Sequence, residues 1–430
     1  MFNHLANVNV RNRRARYRSA RGRLAVVGGA VLCIMAAAGV EAAGAGASAK
    51  HSLVTLSEID YYNAAPSVTA LPPILNKCAA ENGAKIDRQL IPQASLVPEL
   101  IKDVSARQVP NLMLIDNPNI QQFAATGALV PLKISTKGSF PSVVSAGTYQ
   151  GKSYGFAPGV NDLALYYNKA MFSAAGIASP PTDWAELQSD AKALTHGNVY
   201  GLAFSAPDEE EASFQFEPFF WSNGAELNKL DSPDGIGALT YWDTLVDDGY
   251  VSKSVVTWTQ ADVEEQFAAG DAAMMVNGPW QLPVLAKSPP SGGFDTAPIP
   301  APTAGGKVVS PLGGEMWTVG RSSGAKEKAA EGVVKCLISK KESVAWSKVD
   351  GYLSSNEAGA KAQAAANPLL QAFADEIGSA RARTGPPSDL GPNYNTVSQL
   401  LWTAIQSALD GSQTPTAALQ TAQSSLPSGV

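Results

Sequence analysis

The chain has 430 residues, 45% hydrophobic and 16% charged, with a formal net charge of -6. That is enough for two or three domains with a sizeable core and excludes a globally disordered chain; only 3 Cys, and Gly and Pro without a period, exclude disulfide-dense and collagen-like classes. The negative balance argues against a general nucleic-acid binder.

Charge is unevenly spread. Residues 1–49 hold seven Arg and one acid, Glu41, which leaves 25 bases against 37 acids and a net charge of -12 beyond them. An Arg-rich start, an apolar run over 24–40 and small residues ending in Ala47-Ser48-Ala49 form the three-part layout of a secretory signal with an A-x-A cleavage site. An uncleaved anchor is the alternative, but the run is short for a span of about 20 residues. Arg13-Arg14 and Cys33 raise twin-arginine and lipoprotein variants; the neighbours of the arginine pair fit poorly, and Leu32 stands where a lipoprotein has a small residue. The expected location is therefore outside the cytoplasmic membrane. Export leaves Cys78 and Cys336, either paired in an oxidising compartment or kept as two buried thiols.

The exported part opens on a short strand pattern, Leu53-Val54-Thr55-Leu56, that runs into the polar, aromatic stretch Ser57 to Tyr62. A helix through Cys78 follows, then a strand near 86–91 and a helix over 97–104, with Pro98 tolerable in a first turn. Residues 110–116 (PNLMLID) read as a buried strand ending in a polar loop. Strands alternating with helices predict a parallel α/β sheet, whose ligands sit beyond the carboxyl ends of the strands; Glu58, Asp60, Tyr61 and Asp116 fall there. Asp183 and Glu186 read as helix-capping residues, and Trp184, Leu187, Ala191 and Leu194 repeat at helical spacing as a core face. Residues 270–280 form a strand feeding a tight turn, 298–306 (PIPAPTAGG) a linker, and 311–319 a further strand. From Thr396 a helix carries Val397, Leu401, Ile405 and Leu409 on one face, and 424–430 reads as a loose tail.

Four segments, YGFAPGVNDLALYYNK from Tyr154, PPTDWAEL from Pro180, GDAAMMVNGPW from Gly270 and PLGGEMWTVG from Pro311, occur in the order and spacing of a known family. The chain resembles the extracellular solute-binding proteins of bacterial ABC sugar importers, the family of maltose-binding protein, over about 53–423. The resemblance implies a two-lobed periplasmic-binding-protein fold, α/β in class, with a hinge and an interlobe ligand cleft. It divides the chain into a signal peptide at 1–49, one lobe at 50–158 plus 303–350 and a second at 159–302 plus 351–430. Cys78 and Cys336 then share a lobe. Leu56 stands where many relatives have tryptophan, so no relative's sugar transfers directly.

A sugar offers hydroxyls in its ring plane and apolar C–H faces, so its site needs carboxylates or amides for the first and aromatic rings for the second. The candidates from the loops are Glu58, Asp60, Tyr61, Asp116 and Glu315, with Gly313 and Gly314 permitting close backbone approach. The resemblance adds Asn161, or Asp162 if the register shifts by one, together with Phe219, Trp221, Trp280 as the stacking ring, and Tyr394; Tyr352 and Arg383 are further candidates. Asp60 and Asp116 could instead cap the helices that follow them, and Glu209-Glu210-Glu211 reads as a solvated surface. The expected function is a sugar receptor with no catalytic residue, metal or cofactor. Its expected partners are a carbohydrate and the membrane permease subunits of an ABC importer, with no nucleic acid, and the chain is expected to be a monomer. The same fold with a non-sugar ligand, or an exported glycosidase or lyase using carboxylates such as Asp60 and Asp116, are the competing readings.

Overall fold

A computed structural model describes residues 53–430; the signal read at 1–49 lies outside them. The strands in chain order are β1 (Val54–Asp60), β2 (Ala84–Leu90), β3 (Leu112–Asp116), β4 (Thr148–Tyr149), β5 (Lys152–Ser153), β6 (Gly155–Phe156), β7 (Gly159–Val160), β8 (Ala164–Asn168), β9 (Met274–Asn277), β10 (Phe294–Ala297), β11 (Glu315–Val319) and β12 (Leu353–Ser354).

Five strands make the first sheet, in the order β2-β1-β3-β11-β6. β1 runs parallel to β2 and β3, and β11 runs antiparallel to β3 and β6. Leu56 and Ile59 of β1 project to opposite faces of the pleat and enter different core clusters, so this strand is covered on both sides. Leu71, Leu75 and Cys78 on the helix Ser67–Glu81 meet Val333, Val334 and Leu337 on the helix Gly324–Leu337 over one of those faces. A disulfide joins the two helices, Cys78 to Cys336, with Cα atoms 5.6 Å apart and a sequence separation of 258.

The second sheet is β10-β8-β9, all antiparallel. Its layer holds an aromatic core: Phe204 stacks on Trp242 at 3.9 Å between centroids, and Phe216 and Phe219 meet the same indole edge-on. The helix Glu210–Ser222 supplies much of this core and is buried continuously from Glu211 to Trp221. The helix Tyr394–Leu409 adds Val397, Leu401, Ile405 and Leu409, as its periodicity predicts.

The chain passes between the two layers through short backbone pairings. Val160 of β7 faces Leu353 of β12, Asn161 bridges Gly313, and Pro311 bridges Arg381. A Cβ on Gly313 would lie 1.9 Å from Asn161 Oδ1, so this crossing requires glycine.

Asp183 caps the helix Trp184–Leu194 by accepting the Glu186 N–H at 2.9 Å, while Glu186 reaches Thr182 rather than Asp183. The second helix spans Gln93–Ser105, so Pro98 lies in its interior, where it interrupts the backbone ladder, and not in its first turn. The final residues are not loose: Leu426 and Val430 pack against the aromatic core.

Candidate functional site

A cavity of about 420 Å³ opens between the carboxyl ends of the first sheet and the second layer, within the roughly 300–1,000 Å³ usual for small-molecule sites. β1 delivers Tyr61 and Tyr62, β3 delivers Asp116, and the run into β11 delivers Gly313, Gly314 and Glu315. The facing wall comes from Asn161, the start of the helix Glu210–Ser222, the start of the helix Gln260–Ala269, the Trp280 turn and Arg383.

The Glu315 carboxylate gathers three phenols. Tyr61 donates its hydroxyl to Oε1 and Tyr62 to Oε2, and Tyr352 lies 3.4 Å from Oε1. The Tyr61 and Tyr62 rings are stacked, 5.3 Å apart and 8° from parallel. Burial, with Asp116 nearby, raises the Glu315 pKa, and burial beside Glu315 raises all three tyrosines well above their ordinary range, so the phenols stay protonated donors.

Arg383 sits almost fully buried between carboxylates, 2.6 Å from Asp116 and 2.7 Å from Glu210. Its guanidinium lies 4.9 Å from the centre of the Phe214 ring. Burial opposes its charge, but Asp116, Tyr394 and Glu210 restore it, so Arg383 remains a cation. This pair ties the end of β3 to the opposite wall. Burial raises Glu210 and Glu217 despite the arginine beside them.

Trp280 is half-buried at the cavity wall, with Phe214 6.4 Å and Tyr352 6.3 Å from it between centroids. Its indole covers Gly278, where a Cβ would collide with the ring at 1.9 Å. The Asn-Gly-Pro turn thus presents a flat ring to open space.

Tyr61, Asp116, Asn161, Trp280, Gly313, Gly314 and Glu315 meet at this cavity, as do the further candidates Tyr352 and Arg383. The other six sequence candidates do not. Glu58 and Asp60 face Arg88 across the β1–β2 register, with Asp60 in a bidentate pair at 2.6 and 2.8 Å and Glu58 3.6 Å from the same guanidinium. Asp60 also accepts the Tyr62 N–H at 2.7 Å, so it organises the loop beneath the site. Asp162 is buried past the crossing beside Glu376, and burial holds its pKa well above the carboxylate range. Phe219 packs on Trp242 in the core. Trp221 shares a helical face with Glu210 and Phe214 but stands eleven positions, about 16 Å, beyond Glu210 along the axis. Tyr394 lies behind the wall, where its hydroxyl donates toward Glu210 and Glu217 at 2.6 and 2.9 Å.

Glu210 and Glu211 are not a solvated surface; both line the cavity. Burial lifts Glu211 to about 7. The signal was present in the sequence: a helix reading FQFEPFFW after its acids has no solvent face, so those acids must turn to a cleft. Tyr62, Asp350 and Phe214 also line the cavity and had no comparable spacing to reveal them.

Residues 74–372 match the family of bacterial extracellular solute-binding proteins. The chain belongs to that family. This solute-binding protein is 28% identical over 359 residues to a binding protein of Brucella abortus (strain 2308), a match covering 80% of this chain and 85% of that one. It is 22% identical over 316 residues to a maltooligosaccharide ABC transporter solute-binding lipoprotein of Streptococcus pneumoniae serotype 4, covering 68% and 71%. Among solved structures, an ABC transporter solute-binding protein from Thermotoga lettingae bound with α-D-tagatose superposes with a TM-score of 0.76 at 25% identity, over 87% of this chain and 98% of that one. The two-lobed α/β architecture is therefore that of the periplasmic binding proteins, and this solute-binding protein is a receptor and not an enzyme.

Proposed function

We propose that the protein captures a sugar outside the membrane and delivers it, as a monomer, to the permease of an ABC importer. The observation that carries this reading is one cavity lined by half-buried Trp280 and the Tyr61–Tyr62 stack on one hand, and by Asp116, Asn161 and Glu315 on the other. Rings cover C–H faces and carboxylates hold hydroxyls, the two demands a carbohydrate makes. The tagatose-bound neighbour and the maltooligosaccharide relative support the same ligand class. The lobes are assigned as 50–158 with 303–350 and 159–302 with 351–430. A ligand touching both walls favours the state in which they approach each other. The signal segment, the Cys78–Cys336 disulfide and the extracellular family all support an exported protein. A thermal-shift screen against mono- to tetrasaccharides tests the reading: a bound sugar at 100 times its Kd adds about 2.7 kcal/mol of stability and raises Tm. A flat response across the whole panel would refute it.

A further inference from the structure

The cavity is lined by seven carboxyl side chains and a single cation, Arg383. That cation is committed to Asp116 and Glu210. Two acids on the Tyr61 side of the cavity have no cation of their own among the described residues. Glu315, 7% exposed, is held by neutral donors, the three phenols and a backbone N–H. Asp350, 3% exposed, accepts the Tyr352 N–H at 3.0 Å through Oδ1, and its Oδ2, buried in the cavity wall, has no partner in good hydrogen-bond geometry, the Trp346 indole beside the carboxyl being its one neutral side-chain donor. Tyr352 touches both acids, its hydroxyl facing Glu315 and its backbone N–H Asp350, which places them in one neighbourhood. Burial raises the pKa of both acids, Asp350 well above the carboxylate range, because neither has a counter-charge; a neutral hydroxyl could bond to either but supplies none, whereas a positive group favours their ionised form through charge-assisted hydrogen bonds. The surrounding rings of Tyr61, Tyr62, Tyr352 and Trp280 suit such a group as well, because aromatic faces attract cations.

We infer that the carbohydrate taken by this site carries an amine, its ammonium placed against Glu315 and Asp350 beneath the tyrosine rings. The inference rests on the sugar-receptor reading above and narrows its substrate class to basic sugars. The sugar's amine supplies the donors that the buried Oδ2 of Asp350 lacks, and its hydroxyls and C–H faces meet the other groups of the cavity.

Calorimetry on the full chain at neutral pH tests it with three matched series: glucosamine with its β-1,4-linked dimer and trimer, the N-acetylated forms, and glucose with cellobiose and cellotriose. Galactosamine against galactose, the ring amine 1-deoxynojirimycin against glucose, and spermidine as a cation without a sugar complete the set. At least one amine is expected to bind about tenfold or more tighter than its hydroxyl counterpart, the margin of one charge-assisted hydrogen bond over a neutral one. Asp350→Asn and Glu315→Gln, each checked for an unchanged circular-dichroism spectrum, should each abolish that preference, read as the ratio of amine to hydroxyl-sugar affinity within the same variant; if either variant misfolds, the wild-type ratio alone decides. Hydroxyl or N-acetyl sugars binding as tightly as every amine would overturn the inference and leave the receptor reading intact. Binding of spermidine alone, or of nothing in the set, would overturn both.

Discussion

Arg383 is held at 2% exposure between Asp116 and Glu210, which reach it from different walls of the cleft. Removing one partner of a buried charge cluster leaves the others uncompensated, at a cost of about 3–5 kcal/mol. Arg383→Met should therefore lower the urea midpoint strongly, and an unchanged midpoint would show that Asp116 and Glu210 do not depend on it. Residue by residue, the sequence revealed the cavity best where chemistry coincided with punctuation. Trp280 follows Asn-Gly-Pro, Asp116 ends an apolar strand, and Glu315 follows two glycines. It misled where a polar residue beyond a strand had a partner from a neighbouring strand, as Asp60 has Arg88. Arg383 itself has no local pattern, because its partners lie 173 and 267 residues away.

At the scale of elements, periodicity exposed the buried strand β3, the capped helix Trp184–Leu194 and the helix Tyr394–Leu409. What it could not expose was pairing at a distance. The Cys78–Cys336 bond closes a loop of 258 residues and joins two helices over one sheet face. Reduction, or Cys336→Ser, should destabilise the fold by about 2–5 kcal/mol, read as a lower urea midpoint in the reduced protein; equal midpoints with and without reductant would contradict a stabilising bond. The interlayer crossings carry a second prediction. Glu376 accepts the Ile299 N–H at 3.0 Å near buried Asp162. Burial moves Glu376 from an ordinary 4.5 to about 8, and holds Asp162 well above its own usual value. Because the folded state keeps these protons while the unfolded chain releases them near pH 4.5, the native form binds more protons across the window from 4.5 to about 8. Stability therefore falls as pH rises through it. Glu211, at about 7, acts in the same direction. Urea midpoints should be higher near the acid end of that window than at its alkaline end, and Glu376→Gln should flatten the dependence; a midpoint that climbs with pH would contradict the burial of these acids.

For the whole molecule, the order of the four motifs and the two-layer pattern were legible in the chain, because sheet building leaves local marks. The detailed cleft was not, since it exists only where β1, β3 and β11 end opposite the helix Glu210–Ser222 and the Trp280 turn. Everything functional depends on that opening receiving a carbohydrate against the Trp280 ring. The most direct test is a calorimetric titration of the wild-type chain and Trp280→Ala with whichever sugar the thermal screen selects. The wild type is expected to bind with micromolar affinity, about 8 kcal/mol, and the variant to lose roughly 100-fold with its unfolding transition retained. Equal affinity in a folded Trp280→Ala protein would contradict it.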